Sequence, residues 1–278
     1  MLQSLRELEH CRVDATDGDV GRVADFLFDE DCWTVRYLVA DTGDLLDGRS
    51  VLLSPISCRE ASGSPHRLQV ALSREQIQNS PRFDLGRPIT RQHERDLSRY
   101  YGYPFYWGSS GAWGTGAFPG LLMAANRGTV PLAVEEPLQS RHLRRAHELR
   151  GFDIQGIDDV VGHVHDFVLD DETWGIRYLV IDTRNWGPGM KVLVAPQWVT
   201  QINWEHRRCY VGLTRDQIRA SPECPATAPV SRDYERRLLE LYRRPAYWES
   251  SLTVSARSLV DPEVGRELKA RAEAPNAI

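Results

Sequence analysis

Short runs of branched and aromatic residues, each broken by an acidic or glycine-containing turn, mark the first quarter of the chain as β-structure. They run Gly21–Phe28, Val35–Asp41, Ser50–Leu53 and Arg67–Leu72. The same succession returns at Gly162–Leu169, Ile176–Asp182, Lys191–Val194 and Arg208–Leu213. Asp29-Glu30-Asp31 and Asp170-Asp171-Glu172 follow the first strand of each set, where a turn leaves backbone N–H groups in need of acceptors. A hydroxyl three residues before Gln then predicts a capped short helix, at Ser73 and again at Thr214. Thr90 and Ser231 cap a second, charge-rich helix that runs to Tyr101 or Tyr242. After it comes a Pro-aromatic clasp, YGYPFYW ending at Trp107 and YRRPAYW ending at Trp248, expected to pack back on its own sheet. The segment 140–149 and its counterpart near the N-terminus, LQSLRELE, read as helical.

Every matching position is 141 residues from its counterpart, from Gly21/Gly162 to Trp107/Trp248, with no net insertion or deletion between. The positions that anchor this match are Gly21, Asp25, Trp33, Asp41, Pro55 and Trp107 in one copy, and Gly162, Asp166, Trp174, Asp182, Pro196 and Trp248 in the other. Such a period is far too long for a solenoid unit, so two whole domains are the expectation. They are residues 1–107 and 140–248, joined by a Gly/Pro-containing linker at 108–139 and followed by a tail at 249–278. The tail has no counterpart other than the linker. The predicted fold is mainly β with accessory helices: two tandem small antiparallel β-barrels, each followed by short helices, because closure removes exposed strand edges. Gly21 and Gly162 are expected at a bulge or a close backbone approach. The two barrels are expected to touch in an approximately two-fold arrangement, with Trp113, Phe118 and Leu121 of the linker packed on the pair.

The ordered motifs resemble the PRC-barrel family, named for the photosynthetic reaction-centre H subunit. Gly21-Arg-Val-Ala-Asp25, Arg36-Tyr-Leu-Val39 and Val51-Leu-Leu-Ser-Pro55 fit its pattern. So do Gly162-His-Val-His-Asp166, Arg177-Tyr-Leu-Val180 and Val192-Leu-Val-Ala-Pro196. The terminal Tyr-x-x-Pro-x-Tyr-Trp segment is similar to that of free-standing bacterial members. The family includes the second domain of the ribosome maturation factor, so the resemblance implies a protein-binding role. The reaction-centre subunit carries an N-terminal membrane helix, and no such stretch is read in this chain. Fold resemblance does not by itself transfer function.

Composition narrows the choice of function. With 41% hydrophobic and 26% charged residues, the 278-residue chain falls in the soluble globular class. A net charge of −5 argues against a general nucleic-acid binder. The basic cluster Arg141, Arg144, Arg145 and Arg150 is read as a solvated helix face. The chain starts without a signal peptide, and its most apolar stretch, 117–125, is too short to span a bilayer, so a cytoplasmic protein is expected. Five unrepeated cysteines suggest free thiols rather than disulfides or zinc.

The acids found in both copies, Asp25/Asp166, Asp29/Asp170 and Asp41/Asp182, are the candidates for acid–base or cation chemistry, and are read as strand-end and turn acceptors. His163 and His165 share a strand face but have Arg22 and Ala24 as counterparts, so a surface pair is favoured over a metal site. Nucleophile-elbow and phosphate-loop motifs are lacking, and Gly114-Thr-Gly116 is read as linker. No catalytic, cofactor or metal residue is therefore assigned. The leading expectation is a non-enzymatic interaction or assembly module with a protein partner, its two repeats paired within the chain, with a further homodimer left open. A cation- or small-molecule-binding stress protein and a ribosome-associated assembly factor are the alternatives.

Overall fold

The computed structural model describes residues 1–43, 48–59, 66–84, 86–107, 111–114, 116–125, 143–183, 190–224 and 230–248. The tail from 249, the linker after 125 and Arg141 lie outside these residues. The fold is mainly β with several helices, arranged around two mixed sheets.

The six-stranded sheet is built from β2 (Arg12–Ala15), β3 (Gly18–Asp29), β4 (Thr34–Asp41), β5 (Ser50–Leu53) and β6 (Arg67–Gln69), in the order β5-β4-β3-β2-β6. The seven-stranded sheet uses β8 (Asp153–Gln155), β9 (Val160–Asp170), β10 (Ile176–Asp182), β11 (Lys191–Val194), β12 (Val199–Asn203) and β13 (Arg208–Val211), in the order β11-β10-β9-β8-β13-β12. Each sheet gains one further strand from the other half of the chain. β1 (Leu2–Ser4) pairs with β9, and β7 (Leu143–Arg145) pairs with β3. These two short strands are themselves 141 residues apart, so the halves exchange the same segment.

Two expectations change here. First, the sheets are not antiparallel barrels: β2 runs parallel to β6 and β8 parallel to β13, and neither ladder closes on itself. The long strand β3 bears β4 on one edge, and its other edge is shared between β2 at Gly18–Arg22 and β7 at Leu27–Asp29. An edge that the other half covers need not be removed by closure. Second, the segments read as helical divide into a three-residue strand and a single helical turn, α1 (Leu5–Leu8) and α5 (Ala146–Leu149). A pairing made across about 140 residues leaves no trace in local periodicity.

The interiors are not separate either. One apolar cluster takes in Val13, Phe26, Phe28 and Leu38 together with Val161, Phe167, Leu179 and Leu193. The rings of Phe28 and Phe167 lie 6.3 Å apart across the seam. Continuous burial of this kind makes the halves mutually dependent, because each small sheet alone would leave the shared face wet.

The helices follow their caps. α2 (Arg74–Gln78) and α6 (Arg215–Arg219) open with complete capping boxes at Ser73/Gln76 and Thr214/Gln217. α3 (Arg91–Tyr101) and α7 (Arg232–Leu241) start at Thr90 and Ser231. α3 lays Leu97 against Tyr37, Val39 and Leu52, in a small cluster beside the main core. In the linker, α4 (Pro119–Ala125) carries the buried Leu122. Trp113 and Phe118 are buried as expected, but Leu121 is only half-buried and Leu122 occupies the interior. No helix among the described residues is long and apolar enough to cross a membrane.

Candidate interaction site at the seam

The seam is centred on Thr34 and Gly175, which form an isolated antiparallel bridge. Val35 donates its N–H to the carbonyl of Trp174 at 2.8 Å, and Ile176 donates to Trp33 at 2.7 Å. Each position thus meets the neighbourhood of its own counterpart, the geometry of a local two-fold axis. Trp33 and Trp174 have φ of 51° and 56°, a left-handed conformation unusual for a bulky residue. The acidic turns hold them there. Asp29 accepts from the Asp31 N–H at 3.1 Å and Asp170 from the Glu172 N–H at 3.3 Å, while Trp174 donates to the Asp170 carbonyl at 2.8 Å. The strain is coupled to a contact, since it aims both tryptophan carbonyls at the other half.

Asp25 and Asp166, both buried, receive the exchanged segments. Asp25 accepts from the His147 backbone N–H at 3.3 Å and contacts the His147 ring at 2.6 Å, with Arg145 at 3.8 Å. Asp166 accepts from the Ser4 hydroxyl at 2.5 Å and faces Arg150 at 3.5 Å. Gln3 reaches Asp171 and Arg144 reaches Glu30 by the same geometry, and Glu9 pairs with Arg150, its own counterpart position, at 2.6 Å. The basic residues Arg144, Arg145 and Arg150, read from sequence as a solvated face, are in fact ties across the seam. Asp41 lies outside this group; it is exposed and accepts from Gly43 N–H at 3.0 Å. Asp182 is buried at the end of β10, beside Gly162.

A second constellation fastens each clasp. Arg36 pairs with Asp29 at 3.2 Å, both fully buried, and lies over the Tyr106 ring at 3.9 Å. Glu94 accepts from Tyr37, Tyr106 and Arg91. Arg91 in turn lies over Trp107 at 4.3 Å. The second half repeats this with Arg177–Asp170 at 2.8 Å, Arg177 over Tyr247 at 4.2 Å, Glu235 accepting from Tyr178, Tyr247 and Arg232, and Arg232 over Trp248 at 4.1 Å. Burial raises the Glu94 and Glu235 carboxyls above the usual value, against the pull of Arg91 at the first and of the Tyr247 hydrogen bond and Arg232 at the second. For Asp29 and Asp170 burial also pushes upward, but the paired arginine and the turn hydrogen bonds outweigh it and leave both carboxyls lowered. Tyr247 is pushed up to about 12, chiefly by burial. These are acids and phenols whose proton affinities are set by burial and pairing inside a structural joint. Sequence reasoning does not single out Arg36, Tyr37, Arg91, Glu94 and their counterparts as a site. The signal that could have found them is their identity at positions 141 residues apart, despite being charged or polar on otherwise apolar faces.

The remaining anchors have local roles. A Cβ on Gly21 or Gly162 would run into the carbonyl of Asp41 or Asp182, and Gly21 also has φ of +143°. Pro55 and Pro196 start 3-10 turns at Pro55–Ser57 and Pro196–Trp198, where a missing N–H costs nothing. His163 and His165 are half-buried, and His165 meets Lys191 at 2.9 Å. Among the described residues no cluster of His, Cys, Asp and Glu could hold a metal ion. The five cysteines are free thiols.

Beside the seam lies a cleft of about 940 Å³, lined by Glu30, Cys32, Arg177, Pro196, Ile202 and Trp204 among others. β12, the last strand of its sheet, forms part of the wall. The PRC-barrel domain family matches residues 142–217, which span β7 through the capped start of α6. That stretch of the chain is similar to a PRC-barrel domain. The PRC-barrel is a general protein-interaction and assembly module and is not known as an enzyme family. The match begins where the exchanged strand begins, so the domain includes the segment it lends to the other sheet. No curated protein matches the chain.

Proposed function

We propose that residues 1–107 and 140–248 are two copies of one PRC-barrel-type domain, and that the chain is a non-enzymatic protein-interaction or assembly module. The observation that supports this most is the reciprocal exchange of Leu2–Ser4 and Leu143–Arg145 at the spacing of the sequence repeat. An isologous homodimer of a single domain would exchange its first strand in the same way, and here one chain supplies both partners. Tethering gives each copy a high effective concentration of the other. The repeated acids that would be the first candidates for catalysis bind turns, exchanged segments and arginines, which is what a rigid platform requires.

The test is affinity capture on the intact chain from its native extract, followed by reconstitution with the purified partner. A partner that binds the pure chain at a fixed ratio supports the reading. Absence of any reconstitutable partner, together with turnover in hydrolase or oxidoreductase screens, overturns it. The pairing is tested separately. Residues 1–107 alone should self-associate, one copy's β1 taking the place of β7 on the other's β3, and a stable soluble monomer at high concentration would remove the basis for it.

A further inference from the structure

The cleft beside the seam repeats, on the second half, a seat that on the first half receives residues 111–114 and 116–118. In that seat Trp113 is fully buried, and its indole N–H donates to the Thr173 carbonyl at 2.7 Å. The Ala112 carbonyl accepts from Arg36 Nη1, and the Arg36 guanidinium lies 5.0 Å from the Trp113 ring. Two backbone bonds fold the segment tightly: Gly114 donates to Gly111 at 3.1 Å and Gly116 to Trp113 at 2.9 Å. Glycine is required there, because Gly114 has φ of +62° and a Cβ on Gly111 would run into the Gly114 carbonyl. The seat thus recognises a buried aromatic ring, its indole donor and a carbonyl presented to an arginine.

Shifted by 141 residues, Thr173 becomes Cys32, Arg36 becomes Arg177 and the Pro55 turn becomes the Pro196 turn, and all three line the cleft. Arg177 gives Nε and Nη2 to Asp170 and Thr173 and lies over Tyr247 as Arg36 lies over Tyr106. Among the described residues its Nη1, the atom that in Arg36 binds Ala112, meets no acceptor. The Cys32 carbonyl accepts from the Thr34 hydroxyl at 3.1 Å and keeps a second lone pair. Ile202 and Trp204 add apolar wall, and a volume of about 940 Å³ lies within the range, roughly 300–1,000 Å³, that encloses a compact ligand. Glu30 and Asp31 stand at the same cleft, so an acidic occupant would meet like charge.

We propose that this cleft is a recognition seat for a partner-protein segment with the chemistry of 111–118: a glycine-flanked turn carrying one tryptophan and no acidic residue. The indole N–H is donated to the Cys32 carbonyl, and the carbonyl of the residue before the tryptophan accepts from Arg177 Nη1. The occupant is argued from the equivalent seat that the chain itself fills, from the Arg177 nitrogen that faces the cleft and from the acids beside it. The inference rests on the interaction-module reading above and gives that module its binding site and its class of ligand.

The probe is the acetylated, amidated peptide SSGAWGTGAFP, copied from residues 109–119 and titrated into the intact chain by calorimetry. One site per chain is expected. Alanine in place of the peptide's tryptophan should weaken binding at least about tenfold, the scale of a buried aromatic anchor. Aspartates in place of its two serines should weaken it as well. On the protein, Gln197→Trp and Gln201→Trp fill the cleft from exposed positions of its wall. Each should weaken binding at least about tenfold while the thermal midpoint stays unchanged. No saturable binding, equal binding of the three peptides, or full binding to both wall variants would overturn the proposal. Binding seen only in a chain ending at Trp248 would make the chain's own C-terminal segment the occupant, and would overturn a partner site. A partner recovered from the native extract that still binds both wall variants would leave the interaction-module reading standing and overturn the cleft as its site.

Discussion

The two clasps are assembled from seven matching side chains each, yet they differ in how far water reaches them. In the first half Arg36, Asp29, Arg91 and Glu94 are all buried, and Tyr106 and Trp107 lie in the core. In the second, the Arg232 side chain is 48% exposed and that of Arg177 20%. The cover accounts for the contrast: Ala112 and Trp113 close over Arg36, and the described residues provide no equivalent over Arg177. Identical chemistry therefore carries different energy. A buried ion pair is costly to break because its partner is left charged in a poor solvent, whereas an exposed pair is worth little.

A baseline comes from a position where the halves should not differ. Gly21→Val and Gly162→Val each drive a side chain into a backbone carbonyl, and a backbone cannot step aside as a flexible side chain can. Both should cost more than about 4 kcal/mol, the range reserved for severe core and backbone defects. Soluble expression and urea midpoints would show it. If only Gly21→Val is severe, the positive φ at Gly21 matters more than the collision that the two positions share.

The clasps themselves should then separate. Trp107→Ala removes an indole buried in the core and should cost about 3–5 kcal/mol. Trp248→Ala, at a half-buried site, should cost about half as much or less. Equal urea midpoints for the two variants would mean that the second clasp is as well covered as the first. Next in size, Arg36→Met strands Asp29 and should cost about 3–5 kcal/mol, while Arg177→Met leaves an Asp170 that water can reach and should cost about 1–2 kcal/mol.

Much of the fold is legible in the sequence because it is local. Ser50–Leu53, Ile176–Asp182 and Lys191–Val194 are strands over the bounds their apolar runs predict, and Ser73, Thr214, Thr90 and Ser231 cap the helices they are expected to start. Three-residue strands escape such a reading, and for one reason. Leu2–Ser4 and Leu143–Arg145 have a helical neighbour in sequence and a β partner only in space. The same long-range pairing gives open sheets with a common core in place of two expected barrels. At the seam, the sequence marks Asp25 and Asp166 as acceptors without naming what they accept from. Their donors, on exchanged segments about 120 to 160 residues away, lie beyond any local pattern.

The smallest expected effect is one of pH, and it tests whether the clasps agree in sign where they differ in size. Asp29 and Asp170 lie below the ordinary value of 3.8. Their contribution is fully present above that pH and is lost as the pH falls through the lowered folded-state values, since the unfolded chain then binds protons first. Glu94 and Glu235 lie above 4.5, so the stability they confer is present below that pH and declines as the pH rises through the raised values. The wild-type chain should thus lose stability on acidification below about pH 4 through the aspartates and decline gently above pH 4.5 through the glutamates. A tenfold difference in proton affinity between the folded and unfolded chain is worth about 1.4 kcal/mol, which sets the scale of each slope. Glu94→Gln should abolish its share of the upper slope, and Glu235→Gln should do the same by a smaller amount, with water screening the second site. Thermal midpoints collected from pH 3 to 7 would read both slopes. If Glu235→Gln steepens the upper slope instead of flattening it, its carboxylate is stabilised by Arg232 more than burial opposes it, and the second clasp works as an ion-paired joint, unlike the first.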